Sequence, residues 1–141
     1  MAKILEVFAR SVWDSRGQAT VEAEVSVKGA GRSALAAVGR AIAPSGASTG
    51  SGEARCIDVR QTVRYVNTEI RNVLVGRSLD QEEVDETLIA LDGTADKSRL
   101  GGNAIVAVSL ACAQAAAAAA RKPLWKYLAG TRAVAMPVPQ I

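Results

Sequence analysis

Seven consecutive residues, Pro44-Ser45-Gly46-Ala47-Ser48-Thr49-Gly50, are the stretch of this chain best suited to holding a ligand. A loop that must bend sharply while presenting hydroxyl and backbone oxygens needs this composition. It reads as one half of a binding site whose other half lies elsewhere. Other reactive groups are sparse. Histidine is absent, so Ser-His or Cys-His catalysis and a histidine switch are excluded within this chain. Cys56 and Cys112 lack metal-ligand spacing and read as reduced, mostly buried thiols.

The elements that must position the loop follow from hydrophobic periodicity. Ile4 to Phe8, continuing to Val12 and Trp13, predicts a first strand, and Asp14-Ser15-Arg16-Gly17 a tight turn. Val21, Ala23, Val25 and Val27 alternate with Glu22, Glu24, Ser26 and Lys28, the period of a half-buried strand. Ala41-Ile42-Ala43 suits a short third strand ending at Pro44. Ser33 to Val38 is compatible with one helical turn or with a long hairpin excursion.

Beyond the loop the period lengthens. Val59, Val63, Val66, Ile70 and Val73 fall on one helical stripe. Asp80 and Glu83 have capping-box spacing before a helix that buries Val84, Leu88 and Leu91, with Leu79 as a staple for Val84. An alanine-rich helix begins near Asn103 and places Ile105, Val108 and Cys112 on one face. Leu124, Trp125 and Leu128 suggest a short packed turn, followed by an extended run from Met136 to Ile141. Strands first and helices afterwards predict an α+β domain: a three-stranded antiparallel meander, then a helical bundle.

Composition narrows the partners. The 141 residues fit one domain; 49% are hydrophobic but only 4% aromatic, so close helix packing must replace large core side chains. A net charge of +3 with scattered arginines gives no basic stripe for nucleic acid. The uncharged run 103–120 is mostly alanine, which favours a buried helix over a membrane span. Glu6 interrupts any signal-peptide core, which predicts a cytoplasmic protein.

The ordered set Phe8-Ala9-Arg10, Asp14 to Gly17, Thr20-Val21-Glu22 and Pro44 to Gly50 resembles the amino-terminal domain of enolase. Leu91-Asp92-Gly93-Thr94, Asp96-Lys97-Ser98, Leu100-Gly101, Asn103-Ala104-Ile105 and Pro137-Val138-Pro139 extend the resemblance in the same order. It implies a domain over residues 1–133 and, at 134–141, the start of a linker to a barrel domain that this chain lacks. It also implies participation in the magnesium-dependent, reversible dehydration of 2-phosphoglycerate to phosphoenolpyruvate in glycolysis. The barrel, in cis or in trans, would bring the catalytic lysine, glutamate and acidic metal ligands. The isolated chain is therefore expected to be inactive.

By the same resemblance, Ser45, Gly46, Ala47, Ser48, Thr49 and Gly50 form a substrate lid, and Ser48 ligates the second Mg2+ through its hydroxyl and backbone oxygen. Arg16 and Glu22 match positions at the interface of a homodimer, and Glu53-Ala54 and Arg60 match a short motif beyond the lid. There are departures. Gln18-Ala19 replaces the usual Asn-Pro, 29–37 looks longer than the usual hairpin, and 61–66 enters its helix early. Ser51-Gly52 stands where the family often has histidine. These differences motivate an alternative, a noncatalytic scaffold or interaction module on the same fold.

Overall fold

The computed structural model describes residues 2–28, 36–44 and 50–138. Its alternating apolar residues build an antiparallel sheet in the order β1 (Lys3–Trp13), β2 (Ala19–Lys28), β3 (Ala36–Ile42). Val21, Ala23, Val25 and Val27 all lie on the buried face. A register shift between Ile4 and Glu6 marks a bulge in β1. The turn between β1 and β2 is held by Asp14, whose Oδ1 accepts from the amides of Arg16 at 2.9 Å and Gln18 at 2.8 Å. Gly17 supplies its left-handed position, with φ of 72°.

The third strand is longer than Ala41 to Ala43. It begins at Ala36, so Val38 is in a strand; residues 29–35 lie outside those described. Its inner row is Ala37, Gly39 and Ala41, paired with Val27, Val25 and Ala23.

The helices are α1 (Val59–Tyr65), a π-helical turn (Val66–Ile70), α2 (Arg71–Leu74), α3 (Gln81–Asp92), α4 (Gly102–Ala119) and α5 (Leu124–Ala129). The expected stripe is rotated: Thr62, Val66, Ile70 and Leu74 are the buried row, while Val63 and Val73 are partly buried. At 3.6 residues per turn a spacing of four walks around the axis, and the wider π turn takes up the drift. That turn also presents Asn67 to β1: its Oδ1 accepts from Ala9 N at 2.7 Å and its Nδ2 donates to Ala9 O at 3.0 Å.

The predicted cap at Asp80 forms in half. Its side chain accepts from Glu83 N at 3.1 Å, while Asp80 N itself donates to Ser78 O. Leu79 and Val84 are both buried. α4 is long and apolar enough by composition to cross a bilayer, yet half of it is buried within the fold, with Ala104, Ala107, Ala111 and Ala115 in the core. The α+β expectation holds, with the core between the sheet and α4.

Candidate functional site

Residues 45–49, which include Ser48, lie outside those described; the loop is therefore defined by its two ends. On the upstream side Ala43 is fixed to β2. Its amide donates to Val21 O at 2.9 Å, and its carbonyl accepts from the buried Thr20 hydroxyl at 2.9 Å. Pro44 follows at once.

The downstream end is tied to α4. Arg55 N donates to Asp96 O and Gly102 N donates to Arg55 O, both at 2.7 Å. Asn103, nearly buried, then mimics a strand: its Oδ1 accepts from Ile57 N at 3.3 Å and its Nδ2 donates to Ile57 O at 3.0 Å. The same nitrogen lies 3.0 Å from Thr62 Oγ1, which donates to Asp58 O. Asp58 starts α1 by accepting from the amides of Arg60 and Gln61. Gly101 makes this approach feasible. A β-carbon there would stand 2.4 Å from Asn103 Oδ1 and 2.6 Å from Ile57 Cγ1. Gly50 and Glu53, by contrast, share only a loose turn, Glu53 N to Gly50 O at 3.2 Å.

The loop connecting α3 to α4 is organised by Asp92, which is 2% exposed. Its Oδ2 accepts from Leu100 N at 2.7 Å; its Oδ1 accepts from Thr94 N at 2.9 Å and from the Thr94 hydroxyl. Burial would raise its pKa, but these hydrogen bonds and the nearby Arg99 outweigh it and hold the carboxyl below its ordinary value. Asp96 is likewise lowered, first by the Ser98 side chain and with a smaller contribution from Arg55, whose Nε is 3.3 Å away. Arg55 thus meets Asp96 through both backbone and side chain.

Between the two loop ends lies an open cleft of about 210 Å³ bordered by Pro44, Glu53, Ala54, Cys56, Asn103 and Val106. Glu53 is its acidic group, and Cys56, expected to be buried, is instead exposed beside it, while Cys112 is buried. Arg60 is exposed on the first turn of α1, apart from that lining. Among the described residues no three His, Cys, Asp or Glu side chains converge as a metal site.

Arg16 and Glu22 are not brought into one ion pair. Arg16 Nε sits 3.5 Å from Asp14 Oδ2 in the turn, whereas Glu22 bonds Arg10 across the β1–β2 pair. Arg10 also reaches Glu24 at 3.3 Å, which in turn pairs with Arg40 on β3 at 2.7 Å. A charge ladder therefore crosses the outer face of the sheet. Sequence reasoning missed Asn103, Thr62 and Thr20 as the residues that fix the loop ends. The available signal was a polar amide at the start of an otherwise apolar helix.

A family model described as "Enolase, N-terminal domain" matches residues 4–128. The chain belongs to the enolase family. Enolase 2 of Pseudomonas syringae pv. syringae (strain B728a) is 48% identical over a 149-residue alignment covering 97% of this chain and 34% of that protein. Enolase 2 of Pseudomonas syringae pv. tomato (strain ATCC BAA-871 / DC3000) is similar to the same extent. The chain thus spans about a third of the length of the curated enolases it matches, and what it resembles in them is the N-terminal domain.

Proposed function

We propose that this chain serves as the N-terminal capping domain of an enolase, closing over a barrel domain in cis or in trans. The complete enzyme would reversibly dehydrate 2-phosphoglycerate to phosphoenolpyruvate in glycolysis, in the cytoplasm. Residues 1–133 would form the domain and 134–141 the start of the linker; 134–138 have no regular secondary structure and are exposed. The carrying observation is the family match over residues 4–128.

In this reading Ser45 to Gly50 form the lid and Ser48 lends its hydroxyl and backbone oxygen to the second Mg2+. Anchorage at Ala43 and at Arg55 to Ile57 supports it, because a lid moves productively only when its ends are fixed. Magnesium takes about six oxygens, far more than Ser48 offers. In this reading the acidic ligands and the proton-transfer groups belong to the barrel. When bound there, the metal would stabilise the doubly charged carboxylate of the reacting species. Arg16 and Glu22 would face the neighbouring subunit of a homodimer, Glu22 together with Arg10.

The test is to mix the purified chain with the barrel portion of the Pseudomonas Enolase 2 and follow phosphoenolpyruvate. The expected result is magnesium-dependent turnover that Ser48→Ala reduces. No turnover from the mixture, while intact Enolase 2 is active, counts against assembly in trans. The alternative of a noncatalytic module draws on one observation, that the core closes within this chain. Cooperative unfolding unaffected by the barrel portion would favour it.

A further inference from the structure

Ala43, the last residue before Pro44, is buried and has both backbone groups in use. Its amide donates to Val21 O at 2.9 Å, which carries the β2–β3 ladder one residue beyond Ile42. Its carbonyl is taken by a side chain. Thr20 Oγ1 donates to it at 2.9 Å, and among the described residues this is that oxygen's one hydrogen bond. Thr20 is itself only 6% exposed, so the bond is shielded from water.

A carbonyl held in place fixes more than itself. Ala43 C and O, Pro44 N and both flanking α-carbons share one peptide plane, so the direction of the C=O bond sets where Pro44 begins. Pro44 locks its own φ and narrows the conformations of Ala43. That leaves ψ of Ala43 as the first torsion able to redirect the chain as it leaves the sheet. Turning this torsion swings the carbonyl away from Thr20, so the hydroxyl acts as a stop on it.

The two loop ends differ in redundancy. Downstream, Arg55 is bonded through N–H and C=O to Asp96 and Gly102, and Ile57 through both to the Asn103 amide. Gly101 packs there with no room for a β-carbon. Upstream, the orientation of the last carbonyl depends on the Thr20 hydroxyl.

We infer that Thr20 is a positioning residue for the proposed dehydration: its hydroxyl aims the chain that leaves the sheet at Pro44 and so sets how readily that chain closes over the reacting centre. This rests on the capping-domain reading. Thr20 acts through Ala43. A narrower range at the pivot leaves fewer open orientations to give up on closing. Because kcat/KM scales with the closure equilibrium, losing the stop lowers that ratio whether the cost falls on kcat or on KM.

Thr20→Val keeps the shape and removes the donor, whereas Thr20→Ser keeps the donor. In the 141-residue chain, Thr20→Val should speed hydrogen exchange at the Ala43 amide about tenfold relative to Val25, and Thr20→Ser should not. In a hybrid of this chain with the barrel portion of the Pseudomonas Enolase 2, Thr20→Val should lower kcat/KM about tenfold and Thr20→Ser should restore most of it. Val84→Ala, a core truncation on α3, controls for general destabilisation and should leave kcat/KM within about twofold. Circular dichroism checks that each variant folds, and Thr20→Ala supplies a second side chain without the hydroxyl. A hybrid inactive with Thr20 intact would overturn the capping-domain reading and this role with it. An active hybrid indifferent to Thr20→Val, no rescue by serine, an equal loss from Val84→Ala, or unchanged exchange at Ala43 would overturn the role of Thr20 alone.

Discussion

Gly39 of β3 lies directly under Ala111 of α4: a β-carbon on Gly39 would stand 2.1 Å from the Ala111 carbonyl oxygen and 2.2 Å from Ala115 N. Both obstacles are helix backbone and neither can rotate away. Gly39→Ala must therefore push α4 off the sheet, and should destabilise the domain by about 3 kcal/mol or more, the upper end for overpacking. Gly52, with nothing within 4 Å of its position, is the control; Gly52→Ala should change stability by no more than about 0.5 kcal/mol. Urea midpoints for the two variants check this, and equal midpoints would contradict it.

The same contact explains which parts of the fold were legible from residue order. β2 could be read directly because Val21, Ala23, Val25 and Val27 alternate with charged or hydroxyl side chains. Only the end of β3 could, at Ala41 and Ile42, because α4 sits so close that its inner row shrinks to Ala37, Gly39 and Ala41, which carry no hydrophobic period. The stripe running from α1 to α2 was read only in part, Val66 and Ile70 but not Thr62, for a related reason. Thr62 is a core residue made tolerable by hydrogen bonds from Asn103 and to Asp58, contacts that no local pattern reveals. The loop's composition and its flanks were evident, whereas its anchors depend on pairings 46 residues apart, Asn103 with Ile57.

Asn103→Leu keeps the volume but strips the amide. The Ile57 amide and carbonyl and the Thr62 hydroxyl then lose a partner in a part-buried setting, which should cost about 2–3 kcal/mol. Hydrogen exchange at Ile57 should speed up more than at Val25 in mid-sheet. Uniform acceleration at both would show that Asn103 supports the whole core and not the loop end.

Acid should weaken the domain through Asp92 and Glu6. Both carboxyls titrate below their ordinary values when folded, Glu6 chiefly through its hydrogen bond to Arg71. Their stabilisation is therefore complete above the unfolded pKa, about 4, and is lost as the pH falls through the lower folded value. Unfolding free energy measured from pH 7 downward should fall below about pH 4, and Asp92→Asn should flatten that limb. A limb unchanged by Asp92→Asn would contradict the assignment.

The two thiols should differ sharply in reactivity. Burial pushes Cys112 up to about 12, while Cys56 is exposed beside the cleft. Iodoacetamide at pH 8 should label Cys56 alone in the folded chain and both residues in urea, as read by mass spectrometry. Labelling of Cys112 at a comparable rate under native conditions would show that α4 opens readily.

The most direct test joins this chain to the part its relatives add. Residues 1–141 replace the corresponding third of the Pseudomonas Enolase 2, and dehydration of 2-phosphoglycerate is measured for the hybrid, its Ser48→Ala form and the 141-residue chain alone. The account predicts magnesium-dependent turnover by the hybrid, a marked loss in kcat with Ser48→Ala, and none from the isolated chain. A folded but inactive hybrid, or turnover by the isolated chain, would contradict it.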